Sequence, residues 1–176
     1  MRSPTPCSRR RRPRSNGFTL IEVLVSLVIL SIGLLGTAKL MMFSSRANDS
    51  AYLRSQATAL AYAILDDMRA NKLGAVAGGY TTTTAAAAAA PGFVCHGGAS
   101  CTPAQLALYD VYQWKLRLNA ASGGAMPSGQ GAVTTTPAGA QTTVLITVSW
   151  DDTVAQSSFG AAAGVFSQSI TLESLL

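Results

Sequence analysis

Few residues in this chain have side chains that could do chemistry, and they are widely separated. One carboxylate, Glu22, lies near the start of a long apolar run. Two cysteines, Cys95 and Cys101, are close together, with the only histidine, His96, between them. These residue types allow three kinds of chemistry, which are charge pairing, disulfide formation and metal binding.

The apolar run around Glu22 extends from Phe18 to Ala38. As a helix rising about 1.5 Å per residue, it is about long enough to cross a hydrocarbon core of roughly 30 Å. A carboxylate inside such a helix costs on the order of a few kcal/mol unless it finds a partner. The run therefore predicts a membrane-spanning helix in which Glu22 has a functional role.

The pair Cys95 and Cys101 lies downstream of this predicted membrane segment, whereas Cys7 lies before it. A close pair in a chain that is sent to a membrane favours a disulfide made in an oxidising compartment. Two free thiols are the alternative. A structural zinc site would lack a ligand, since His96 is the only histidine. We expect neither a metal nor a cofactor.

Two aspartate doublets, at 66–67 and 151–152, are the other acidic clusters. Neighbours in sequence point apart on a helix or a strand, so we expect both doublets to be solvated. The sequence offers no nucleophile paired with a base, and we expect His96 to lie in an exposed loop. We therefore predict no catalytic residues and no enzyme activity.

The net charge of +5 is concentrated at the N-terminus. Six arginines precede Phe18, and the remaining chain carries seven basic and eight acidic residues. A nucleic-acid partner would require a basic face on the folded domain, and none is expected. The arginines should instead hold the N-terminus in the cytoplasm. The long apolar run and the absence of a small-x-small cleavage site argue against an ordinary signal peptide.

The segment Gly17-Phe18-Thr19-Leu20-Ile21-Glu22-Val23 resembles the class III signal of type IV pilins and pseudopilins. The resemblance implies that a prepilin peptidase cuts after Gly17 on the cytoplasmic side and methylates the new amine of Phe18. It also implies that Glu22 pairs with the N-terminal amine of a neighbouring subunit in a filament. Breaking such a buried charge pair typically costs about 3–5 kcal/mol.

The helical pattern continues beyond the apolar run. Leu53, Ala57, Leu60, Ile64 and Met68 follow helical spacing, and no proline occurs between Phe18 and Leu73. With Lys72 in the last turn, we expect the helix to end at Gly74. Its second half should place one apolar stripe under a globular head.

The head begins with an irregular connector that contains the polyalanine tract 85–90. Thr102, Pro103 and Gln105 then form a helix-start signature, and Trp114 lies on the apolar face of the predicted helix. A strand is the competing interpretation, because apolar residues also alternate at 112–118. We expect this helix to end at 122–124.

Three strands are predicted to follow, at 132–136, 142–150 and 165–172, and the second shows the clearest alternation. They can form an antiparallel sheet on the long helix, which gives an α+β fold. The expected organisation is a cleaved leader at 1–17, a transmembrane and filament-core helix at 18–38, its amphipathic continuation at 39–73 and a periplasmic head at 74–176. This order matches the pilin fold.

The head is also similar to that of the PilV-type minor pilins, through three features. These are Asp110-x-x-x-Trp114-x-x-x-Leu118, Pro127-x-Gly129-x-Gly131 and Thr147-Val148-Ser149-Trp150-Asp151. The resemblance implies an inner-membrane minor pilin that primes type IV pilus assembly for twitching motility and adhesion. Its partners would be the prepilin peptidase, other minor pilins, the major pilin and a tip-associated adhesin. A minor pseudopilin of type II secretion is the alternative, and a DNA-binding competence pilin is a weaker one.

Overall fold

The structure is a computed structural model that describes residues 17–84, 90–96, 100–138, 141–153 and 166–176. Residues 1–16 of the predicted leader and the tracts 85–89 and 154–165 lie outside the described residues. The helices are α1 (Leu20–Ala70), α2 (Lys72–Val76) and α3 (Pro103–Leu118), and a 3-10 turn follows at Ala120–Ser122. The strands are β1 (Gln130–Ala138), β2 (Gln141–Asp151) and β3 (Ser167–Leu175).

The chain divides into two compact units, residues 1–42 and residues 43–176. In the first unit, the described residues 17–42 include the apolar first part of α1, and all of them are exposed. By length and composition, α1 contains a stretch that could cross a membrane. Three hydroxyls in this stretch, those of Ser26, Ser31 and Thr37, donate to backbone carbonyls three or four residues earlier at 2.7 to 2.9 Å. Their hydrogen-bonding needs are thus met within the helix itself.

The second unit is built on the last part of α1, where Ala57, Ile64 and Met68 of the predicted stripe are buried and Leu53 and Leu60 are partly buried. With Ala61 and Leu65, which are also buried, these residues form the apolar stripe of α1. It shares one core with the inner face of β2, formed by Val144, Ile146, Val148 and Trp150. The predicted α+β fold, with a long N-terminal helix packed against a small antiparallel sheet, is confirmed.

The sheet has the order β1-β2-β3, and both pairings are antiparallel. The register places Val133 opposite Ile146 and Val148 opposite Ile170, so apolar side chains of all three strands share the inner face. β1 is longer than predicted, and β3 begins and ends later than the predicted range 165–172. Val165 itself lies outside the described residues.

The predicted helix end at Gly74 is wrong. α1 ends at Ala70, and Asn71 leaves the helical conformation with φ −115° and ψ 57°. The Asn71 side chain then accepts a hydrogen bond from the Gly74 amide at 3.3 Å and caps α2, which Lys72 begins. Asparagine is a favoured cap because its side chain satisfies an amide that has no partner in the first turn. Gly74 is needed for contact instead, since a Cβ there would lie 2.6 Å from the Pro103 carbonyl oxygen.

The helix interpretation of the Trp114 region is confirmed, and its start follows the predicted signature. Thr102 Oγ1 accepts from the Gln105 amide at 3.3 Å, and Gln105 Oε1 accepts from the Thr102 amide at 3.0 Å. This reciprocal pair is a capping box, with Pro103 in the first turn. The helix ends at Leu118, earlier than predicted. The 3-10 turn that follows is capped by Gly123, which has a positive φ of 82°.

The expectation that both aspartate doublets are solvated is wrong at Asp152 and Asp67. Asp152 is only 1% exposed, and Ser50 Oγ donates to its Oδ2 at 2.7 Å. Asp67 is half-buried at the end of α1, where Arg117 lies 3.7 Å from its Oδ2. The burial of Asp152 and Asp67 comes from contacts with elements that are distant in sequence, which adjacent residues in the chain do not indicate.

Candidate processing and assembly site

The predicted cleavage position lies just before the first turn of α1. Gly17, Phe18 and Thr19 are not helical, and the helix begins at Leu20. All three residues are exposed, and 82% of Phe18 is accessible. The peptide bond between Gly17 and Phe18 is therefore outside the helix. Glycine presents no side chain that would hinder an enzyme from approaching this backbone.

Thr19 forms the start of the helix together with Glu22. The Glu22 amide donates to the Thr19 carbonyl at 3.1 Å and to Thr19 Oγ1 at 3.3 Å. Glu22 is the acidic residue of the first turn, where a negative charge is favoured by the partial positive charge of the helix N-terminus. The helix start thus fixes both the backbone near the predicted cleavage position and the location of the carboxylate.

One open face of the helix carries Glu22 among apolar neighbours. The face is lined by Phe18, Glu22, Val23, Ser26, Leu27 and Leu30. The Ser26 hydroxyl is already bonded to the Glu22 carbonyl at 2.7 Å. Among the described residues, no basic side chain lies within salt-bridge distance of the Glu22 carboxylate. This arrangement can pair with a cation supplied by another molecule.

The predicted disulfide between Cys95 and Cys101 is present, with the two Cα atoms 5.8 Å apart. It lies directly before Thr102, the residue that caps α3. His96 is exposed, as predicted, and its ring contacts the Tyr109 ring edge-on with centroids 6.0 Å apart. No three His, Cys, Asp or Glu side chains in the described part of the chain are grouped so that they could hold a metal ion.

Sequence reasoning missed a polar cluster where α1, α2 and α3 meet. Tyr80 is fully buried, and its hydroxyl donates to Asp110 Oδ2 at 2.6 Å. Asn71 Nδ2 lies 3.3 Å from the same hydroxyl and donates to the Pro103 carbonyl at 2.8 Å. These contacts connect the end of the long helix to the start and the middle of α3.

The electrostatics of this cluster keep the Tyr80 hydroxyl protonated. Burial, and then the hydrogen bond to the Asp110 carboxylate, raises the pKa of Tyr80. Burial also raises the pKa of Asp110, although the Tyr80 hydrogen bond opposes that shift. Asp67 follows the same pattern, since burial raises its pKa and Arg117 lowers it. The cluster is structural, and Tyr80 acts as its central donor.

Comparison with known families gives two matches, which follow one another along the chain. Residues 12–38 match the prokaryotic N-terminal methylation motif, which includes Gly17, Phe18 and Glu22. The matched range contains the predicted cleavage position and the predicted pairing carboxylate. Residues 40–112 match the family described as type IV pilin Tt1218. The second match is a similarity to a type IV pilin family over less than half of the chain, and type IV pilins are structural proteins.

No curated protein and no solved structure gives a significant match to this chain. The two family matches and the structure agree on the order of parts, with an apolar N-terminal helix followed by a pilin domain. This organisation fits a membrane-anchored pilin that is processed by a prepilin peptidase and interacts with other pilus components.

Proposed function

We propose that this chain is a minor pilin that primes type IV pilus assembly together with other minor pilins. The observation that carries the proposal is the geometry of the N-terminus. The Gly17–Phe18 bond lies outside the helix, and the Glu22 carboxylate lies one turn further on an otherwise apolar face. Cleavage after Gly17 creates an amine on Phe18, and Glu22 of one subunit pairs with the amine of another.

The proposed parts of the chain follow from this geometry. Residues 1–17 are the cleaved leader, 18–38 cross the inner membrane, 39–70 continue the helix to its end at Ala70, and the rest of the head follows. The arginines before Phe18 keep the leader in the cytoplasm, where the peptidase acts. The disulfide between Cys95 and Cys101 supports a periplasmic head, because disulfides persist in oxidising compartments.

Two contacts in the head support the resemblance to PilV-type minor pilins. The Trp114 indole N–H donates to the Leu60 carbonyl at 2.8 Å and attaches α3 to α1. A Cβ added at Gly131 would overlap the Trp114 ring and lie 2.6 Å from Leu118 Cδ1. The tryptophan run and the glycine-rich turn therefore pack against each other as one unit. This packing gives a physical reason for both motifs to occur in the same head.

A priming role matches a structural protein with a filament-type helix. Starting a filament requires several subunits to associate before any of them gains its full set of neighbours. A complex of minor pilins, together with a tip-associated adhesin, would supply the first set of partners for the major pilin. It would lower the barrier to polymerisation without becoming the main component of the fibre.

The proposal is tested in a strain that lacks this chain, by counting surface pili with microscopy and measuring secreted protein in the same cultures. Lost pili with normal secretion is the expected result. Normal pili with lost secretion would replace the proposal with a minor pseudopilin of type II secretion. Normal pili and normal secretion would contradict both assignments.

Complementation supplies the matched controls for this strain. The wild-type chain should restore pili. A Gly17→Val chain should accumulate as an uncut precursor and fail to restore them, because the branched side chain obstructs the peptidase. Restoration of pili by uncut Gly17→Val would contradict the processing step while leaving the pilin domain unaffected.

A further inference from the structure

We propose that Thr19 is a positioning residue for the cleavage step, because it caps the start of the helix and is the second residue after the bond to be cut. This inference rests on the proposed processing at Gly17–Phe18. It concerns how the substrate presents that bond. In the structure Thr19 is the last non-helical residue before α1, and Leu20 is the first helical one.

The hydroxyl of Thr19 gives the helix a defined start. Its Oγ1 accepts from the Glu22 amide at 3.3 Å, while its carbonyl accepts from the amides of Glu22 and Val23 at 3.1 and 3.3 Å. The first amides of a helix have no partner within the helix, and threonine is one of the residues that can supply an oxygen to them.

Without this oxygen, the start of the helix is no longer fixed at Leu20. The helix can then extend toward the Gly17–Phe18 bond and include it in a helical turn. A peptidase that binds the bond in extended backbone then encounters only a fraction of the substrate in the competent form. A smaller competent fraction weakens apparent binding in proportion, so the effect falls on KM and leaves kcat unchanged.

The test uses the full-length precursor in detergent micelles with purified prepilin peptidase, and it measures kcat and KM for cleavage. Thr19→Val keeps the branched shape but removes the accepting oxygen, and Thr19→Ser keeps the oxygen. Thr37→Val makes the same chemical change at a threonine whose hydroxyl donates to the Leu34 carbonyl at 2.9 Å, away from the helix start.

Loss of a helix cap predicts a KM about fivefold higher for Thr19→Val, with kcat unchanged. Thr19→Ser should stay within about twofold of the wild type, as should Thr37→Val. A Thr19→Val precursor with the KM of the wild type overturns the proposal. So does a Thr19→Ser precursor that is as impaired as Thr19→Val, because the oxygen would then not be the cause.

The same experiment separates this inference from the function on which it rests. A lower kcat with unchanged KM would show that Thr19 acts on the chemical step, and it would also overturn the positioning role. A wild-type precursor that is not cleaved between Gly17 and Phe18 would overturn the proposed processing itself. Mass spectrometry of the product identifies the cleaved bond in each case.

Discussion

Removing the Tyr80 hydroxyl with Tyr80→Phe should destabilise the head through the polar contacts of that hydroxyl with Asp110, Asn71 and the Asp67 carbonyl. The hydroxyl is buried and donates to Asp110 Oδ2 at 2.6 Å, while Asn71 Nδ2 lies 3.3 Å away. Phenylalanine keeps the ring and its packing, so the change removes only the polar contacts. The perturbation therefore tests whether the polar cluster at the junction of α1, α2 and α3 stabilises the second unit.

The expected magnitude follows from the type of bond and its exposure. A hydrogen bond to a charged group contributes about 1.5–3 kcal/mol. Asp110 is only partly buried, so water can replace the donor in part. The expected loss therefore lies at the lower end, near 1.5 kcal/mol of the free energy of unfolding. Tyr62→Phe is the matched control, because Tyr62 is half-exposed on α1 and should change the free energy by less than about 0.5 kcal/mol.

Tryptophan fluorescence during urea denaturation in detergent measures this change. The chain has two tryptophans, Trp114 and Trp150, and both are buried in the second unit, so the signal reports on the head alone. A double-mutant cycle with Asp110→Asn isolates the Tyr80–Asp110 contact. The reasoning is refuted if Tyr80→Phe is as stable as Tyr62→Phe, or if the cycle gives no coupling.

The effect of Tyr80→Phe should also depend on pH. Burial raises the pKa of Asp110, so the folded head takes up this proton more readily than the unfolded chain. The stability that depends on this protonation is present at low pH and is lost as the pH rises through the raised pKa. The Tyr80 hydroxyl opposes this loss by binding the ionised carboxylate. Tyr80→Phe should therefore cost more at neutral pH than at acidic pH, where the carboxyl is protonated in both proteins.

Three further changes test other parts of the molecule. Gly131→Ala should destabilise the head by about 1–3 kcal/mol in the same denaturation assay, because its methyl group would overlap the Trp114 ring, and an unchanged midpoint would contradict that packing. Replacing Cys95 and Cys101 together with serine should cost about 2 kcal/mol, since the bond closes a short loop with a sequence separation of 6, and equal stability would contradict this contribution. Glu22→Ala should be cleaved normally but should be recovered in sheared pili at less than about a tenth of the wild-type level, and equal recovery would remove the need for the charge pair.

Most of the fold could be predicted because its signals are local. The threonine, proline and glutamine at the start of α3 form a capping box in the structure, as their spacing indicated. The alternation in β2 identified its buried face correctly, since Val144 and Ile146 are both fully buried. In each case the pattern repeats over a few residues and needs no knowledge of the rest of the fold.

The errors arose where residues distant in sequence meet. Asn71 ends α1 because its side chain can bond to both Gly74 and the Pro103 carbonyl, a residue 32 positions away. Asp152 is buried because Ser50, 102 positions earlier, donates to its carboxylate. The residues adjacent in sequence to a polar side chain do not indicate such a distant partner, so burial could not be inferred for either residue.

The polar cluster at Tyr80 was missed for the same reason, although one signal was available. Tyr80 follows a glycine pair and precedes a threonine run, a pattern that indicates an irregular connector. A tyrosine is a large side chain that gains from burial but needs a partner for its hydroxyl. The acceptor of that hydroxyl, the half-buried Asp110, could only be located once α3 had been placed.

The three hydroxyls in the apolar part of α1 have a consequence for how this helix could change its surroundings. Because Ser26, Ser31 and Thr37 each donate to a carbonyl of their own helix, they require no partner from lipid or from protein. Moving the segment from a bilayer into a protein fibre then takes it from one apolar environment to another, and no hydrogen bond of these hydroxyls has to be broken. In the proposed assembly, the charge pair between Glu22 and the amine of Phe18 is the interaction that favours the fibre over the bilayer. The same transfer can run in reverse when the fibre is taken apart.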